Sequence, residues 1–104
     1  MRDRIKLEAW IGWPPTSKCQ ETVSILEECV RRHPDELRLL VFKRGIDVFP
    51  EEASQGMKNL MMKGNPVPAC LVNGVLFVSC KVPDLEELEV RIQEVLLRTR
   101  EDGT

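Results

Sequence analysis

The sequence predicts an α/β domain: a four-stranded mixed sheet with helices on both faces, in the order β-α-β-α-β-β-α. Three observations carry this prediction. Two short apolar runs, 69–72 and 75–79, flank Asn73-Gly74, a pair that accepts positive φ at both centres of a type I′ turn and so joins antiparallel strands. An amphipathic helical stretch lies between two further apolar runs, 5–11 and 37–42, which makes a βαβ unit, parallel and right-handed. Helical spacing returns after the hairpin and supplies a helix for the remaining face.

Taken in order, 5–11 reads as a strand with Leu7, Ala9 and Ile11 on one face, although Lys6 and Glu8 interrupt its apolar character. Gly12-Trp13-Pro14-Pro15 ends it, because successive prolines supply no backbone donors and hold an extended turn. Thr16 or Ser17 then caps a helix whose Cys19, Val23, Leu26, Cys29 and Val30 follow helical spacing; Ser17 with Gln20 matches a capping box. Pro34 stops this helix near His33, and 37–42 forms the second strand. After a loop at 45–50, a second helix is expected over 51–63, interrupted by Gly56 and closed by Gly64. Val67-Pro68 leads into the hairpin through an X-Pro bond, where the cis isomer costs only about 0.5–1 kcal/mol. Pro83 or Asp84 opens a third helix with the stripe Leu85, Leu88, Ile92, Val95 and Leu96, and 98–104 is expected to be a frayed tail.

A chain of 104 residues is one domain, with a core expected over about 5–97. Fifteen basic and seventeen acidic residues, with the signs interleaved, give a net charge of −2. Nucleic-acid binding rests on clustered Lys and Arg, so such a partner is not expected. The charged start, Met1-Arg2-Asp3-Arg4, leads into an apolar run too short for a signal peptide or a membrane span. A cytoplasmic protein with reduced thiols at rest is expected, and no membrane partner.

The element order, the Trp13-loop-Cys19 stretch before the first helix, Val67-Pro68 before the third strand and Asn73-Gly74 together resemble the thioredoxin-like fold in its small, glutaredoxin-sized form. The resemblance spans about 5–97, and Ser24-Ile25-Leu26-Glu27-Glu28-Cys29-Val30 resembles the stretch that follows the active-site cysteines of thioredoxins. It implies that Cys19 stands at the second, resolving position, and that Val67, before a cis proline, faces Cys19 and offers its backbone to an extended partner. It also implies that Trp13, with the Pro14-Pro15 loop, forms part of a binding surface. The sequence departs from the family where the attacking cysteine should be. Family oxidoreductases carry Cys-x-x-Cys, whereas this chain has Thr16-Ser17-Lys18-Cys19, and aligning Pro14 at the attacking position recovers no cysteine either.

Cys19 falls in the first turn of its helix, where unpaired N–H groups and the macrodipole favour an anion and Lys18 adds a positive charge, so a lowered pKa is expected. Cys29 is ten residues further along the same helix, or about 15 Å, well beyond disulfide reach, and is expected in the core. In a regular two-residue hairpin Cys70 faces Phe77 and Cys80 faces Val67, which leaves Cys80 beside Val67-Pro68. No cysteine pairs with the single histidine, His33, at usual zinc spacing, and no metal or cofactor is expected.

These residues suggest a thioredoxin-like protein with a variant, single-cysteine site that acts in thiol redox chemistry through Cys19 and Thr16. Glutathione or a partner protein would supply the second thiol. Whether the chain is an enzyme stays open, as does its oligomeric state, since the dithiol motif of an oxidoreductase is missing. The alternative is a non-catalytic binding module using the groove between Trp13, Pro15, Val67 and Pro68. A third reading follows from Thr-x-x-Cys, the spelling in which peroxiredoxins place a threonine three residues before a peroxide-attacking cysteine; the plain alternative for Thr16 and Ser17 is helix capping.

Overall fold

The structure, a computed structural model, describes residues 5–47 and 51–102. The charged start 1–4 and the end of the loop expected at 45–50, residues 48–50, lie outside the described residues. The elements follow the expected order: β1 (Ile5–Ile11), α1 (Ser17–Arg32), β2 (Leu37–Lys43), α2 (Gln55–Lys63), β3 (Ala69–Val72), β4 (Val75–Ser79) and α3 (Leu85–Asp102). The sheet order is β2-β1-β3-β4. β1 runs parallel to β2 and antiparallel to β3, and β3 pairs antiparallel with β4.

Alternation along β1 divides the core between the two faces of the sheet. Ile5, Leu7, Ala9 and Ile11 pack with Cys19, Leu26 and Cys29 of α1 and with Leu88, Ile92, Val95 and Leu96 of α3. Trp10 packs on the other face with Phe42 and with Met57 and Leu60 of α2. Leu7, Leu26, Leu88 and Ile92 are fully enclosed, and burying such a side chain is worth about 1.5–3 kcal/mol. No helix among the described residues is long and apolar enough to cross a membrane.

Four expectations change. The second helix begins at Gln55 rather than 51, because Ser54 takes an extended conformation and its hydroxyl accepts the Met57 N–H, a stronger start signal than the preceding Glu51-Glu52. The third helix continues through Asp102, past the tail boundary placed at 98, while 103–104 lie outside the described residues. The hairpin turn has positive φ at Asn73 and Gly74, as expected for type I′, but a bulge between Cys70 and Leu71 shifts the register beyond it. Cys70 therefore faces Val78 instead of Phe77, and the Cys80 N–H donates to the Pro68 carbonyl at 2.7 Å rather than opposing Val67.

Gly56, read from sequence as an interruption, has a tertiary cause. A β-carbon there would collide with the Gly74 carbonyl oxygen, so the first turn of α2 rests directly on the hairpin turn.

Candidate functional site

The candidate site lies where the β1–α1 loop meets the segment leading into β3. Gly12 follows the last residue of β1, and Thr16, at φ −78° and ψ 173°, is the residue before the first turn of α1. The Thr16 hydroxyl accepts the Cys19 N–H at 3.3 Å. Thr16, not Ser17, is thus the helix cap, and the capping-box expectation for Ser17 with Gln20 is replaced: the Gln20 amide donates to the Pro15 carbonyl instead. Thr-x-x-Cys is the spacing a cap residue needs to reach the third residue of its helix, so local helix geometry is sufficient to explain it.

The Cys19 sulfur accepts the Gly12 N–H at 3.4 Å, and the residue has 0 % of its surface exposed. Burial alone pushes this thiol up, but the Thr16 hydroxyl, the Gly12 N–H and the Thr16 N–H together bring it below its ordinary value. The lowering was expected and its cause differs from the expectation. Lys18 is exposed and takes no part; the hydrogen bonds to sulfur do the lowering.

Val67 stands across from this loop. A β-carbon at Gly12 would lie 3.4 Å from Val67 Cγ2, so Val67 packs on the residue whose N–H holds the sulfur. The Val67-Pro68 bond is cis, and Pro68 is buried where the chain enters β3. Trp13-Pro14 is also cis. Trp13 is 52 % exposed, and Lys43 Nζ, from the end of β2, sits 4.4 Å from its ring centroid. Pro15 is half-buried. Trp13, Pro15 and Thr16 of the β1–α1 loop, Cys19 in the first turn of α1, and Val67-Pro68 before β3 are therefore linked through Gly12.

The other thiols divide by environment. All four cysteines are free. Burial pushes Cys29 up to about 12, with the negative charge of Glu89 adding to it, and burial pushes Cys70 up to about 11. Both are inert core groups at neutral pH. Cys80 is exposed, beside Pro68, with φ +63°. Among the described residues, no group of three His, Cys, Asp or Glu side chains could hold a metal ion.

Three contributors escaped the sequence reading. Gly12 acts through its backbone, which leaves no sequence signal beyond the glycine itself. Lys43 reaches Trp13 from the far end of another strand. Glu8, a carboxylate inside an apolar strand, was visible as an anomaly. It lies fully buried on the α2 face, accepting the N–H of Ser54 at 2.8 Å and its hydroxyl at 2.5 Å, and so anchors the cap of α2.

Open depressions lie elsewhere, one of about 670 Å³ between α1 and β2 and one of about 510 Å³ along the outer side of α1. Neither is lined by Cys19 or Val67. No family model matches the sequence, and no curated protein matches it.

Proposed function

We propose that this chain is a thioredoxin-like protein with a single redox thiol, Cys19, working at the junction of the Gly12–Thr16 loop and Val67-Pro68. The fold part of this reading is supported by the strand order β2-β1-β3-β4, with β1 parallel to β2 and a cis proline leading into β3. The chemical part rests on one observation: the Gly12 N–H and the Thr16 hydroxyl both serve the Cys19 sulfur and favour its thiolate. A thiolate is the nucleophile in thiol–disulfide exchange. Attack on a disulfide such as oxidised glutathione forms a Cys19–sulfur bond, breaks the original S–S bond and releases one thiolate. A second thiol, from glutathione or a protein in a reducing compartment, then returns Cys19 to its free form.

A specific observation favours a second reading. The Cys19 side chain is fully covered, whereas Trp13, on the loop before it, is open to solvent. A binding module that holds an extended partner between Trp13 and Val67-Pro68 needs the groove but not the thiol. Alkylation of Cys19 followed against pH, in a Cys80→Ser background, separates the two. The redox reading expects saturating reactivity with a midpoint below that of an ordinary thiol. Failure of Cys19 to react in the folded protein, with partner binding retained in Cys19→Ser, selects the binding module.

A further inference from the structure

The sheet has two edges, and they differ. The β4 edge is irregular: the bulge between Cys70 and Leu71 breaks its ladder and twists it, a device that discourages pairing with another strand. The β2 edge, Leu37–Lys43, is regular, seven residues long and without proline.

The parity of its backbone groups follows from its two ends. The Glu36 carbonyl accepts the Ile5 N–H, and the Arg44 N–H donates to the Ile11 carbonyl, each at 2.8 Å. Both groups of one residue point to the same side of a strand, and successive residues alternate. Residues 36, 38, 40, 42 and 44 therefore address β1, and residues 37, 39, 41 and 43 address the outside. Local turns close both ends of that outer row. The Leu37 N–H donates to the His33 carbonyl at 3.0 Å, and the Lys43 N–H donates to Asp47 Oδ2 at 2.7 Å. The Lys43 carbonyl accepts from the N–H groups of Ile46 and Asp47. What remains is the Leu37 carbonyl with both groups of Leu39 and of Val41, none bonded to another described residue.

We propose that this row is the seam of a homodimer, in which β2 pairs antiparallel with β2 of a second copy about a twofold axis at Leu39. The row complements itself about its centre. Each Leu39 N–H meets the other copy's Leu39 carbonyl, and each Val41 N–H meets the other copy's Leu37 carbonyl. The outermost pair is one bond short: the Leu37 N–H, which would meet the other copy's Val41 carbonyl, is already held by His33, so that carbonyl takes no bond across the seam. On the α1 face this register sets Leu39 against Leu39 and Leu37 against Val41, apolar pairs of the kind that stabilise strands. The adjoining depression is lined by Val30, Pro34 and Leu39, with Glu27 and Arg31 at its rim. Each copy thus brings both charge signs to the seam, Glu27 beside Arg31 and the exposed Arg38. The result is one continuous eight-stranded sheet, and the inference stands independently of the thiol chemistry.

Sedimentation of the full chain across a dilution series tests this, with amide exchange on the same samples. The mass is expected to rise from 11.9 kDa towards twice that value as concentration increases. The Leu39 and Val41 amides should gain protection over the same range, while those of Leu40 and Phe42 stay protected throughout. Leu39→Lys sets like charges against each other at the axis and should halve the mass, whereas Leu76→Lys on the β4 edge should leave the dimer intact. A monomer at every concentration overturns the proposal, including one that captures an extended peptide on β2. So does a dimer whose Leu39 and Val41 amides remain unprotected, a readout that needs no variant should Leu39→Lys fail to fold.

Discussion

Thr16 serves Cys19 twice, accepting its N–H as a helix cap and turning its hydroxyl hydrogen to the sulfur. Thr16→Val keeps the volume and removes both contacts. It should raise the pH midpoint of Cys19 alkylation and cost about 1 kcal/mol of stability, read from urea unfolding, while Thr16→Ser restores both properties. The cysteines also make opposing contributions to stability as pH changes. Cys29 and Cys70 stay protonated in the folded chain to about 12 and 11, so from pH 9 upward only the unfolded chain loses those protons. Their contribution is complete below pH 9 and declines above it by up to about 1.4 kcal/mol per pH unit per thiol. Cys19, lowered in the fold, acts in the opposite sense over the window below 9.0, where the folded chain has already lost its proton. Urea midpoints at pH 8 and pH 10 should fall steeply for the wild type and less steeply for Cys29→Ala with Cys70→Ala. The position of Cys19 at a helix start was legible because capping is local. The donor that matters most after burial and Thr16, the Gly12 N–H, was not, because which way a backbone group points after a strand depends on the loop's path.

At the level of elements, α2 shows how a local rule yields to a distant neighbour. Alanine is a better helix former than glycine by about 1 kcal/mol, yet a β-carbon at Gly56 would meet the Gly74 carbonyl oxygen, a backbone atom that cannot move aside cheaply. Gly56→Ala should therefore destabilise the protein, by about 1–3 kcal/mol in thermal or urea unfolding, and loosen the contact between α2 and the hairpin. An outcome at or above wild-type stability would mean that the two elements are not held in this approach. The start of α2 was misplaced for a related reason. Glu51 and Glu52 suit a first helical turn, but the carboxylate of Glu8 claims the N–H and hydroxyl of Ser54 and so fixes the cap there. Sequence periodicity located the helix; a buried carboxylate on another strand decided its first residue. Similarly, Asn73-Gly74 announced the turn and its positive φ angles, while the bulge that leaves Phe77 of β4 without a partner between Cys70 and Leu71, and so reassigns the partners of Cys70 and Cys80, left no local trace.

Across the whole molecule, the period-two pattern of β1 and the helical stripes of α1 and α3 were sufficient to assign which residues face which layer, since burial of apolar surface dominates that choice. They did not reveal that Trp13 and Lys43, thirty positions apart, converge beside the site, because parallel pairing brings the ends of β1 and β2 together only once the crossover is complete. The same pairing gives the chain's two tryptophans different surroundings. The Trp10 indole is enclosed between the sheet and α2 and donates to the Asn65 carbonyl at 3.4 Å, whereas Trp13 stands in solvent under a lysine. Their emission is therefore separable by colour, blue from the dry interior and red from the wet loop. Anything that settles between Trp13 and Val67 speaks through the red component, and loss of the sheet speaks through the blue. The molecule carries two optical gauges, one on its β1–α1 loop and one on its frame.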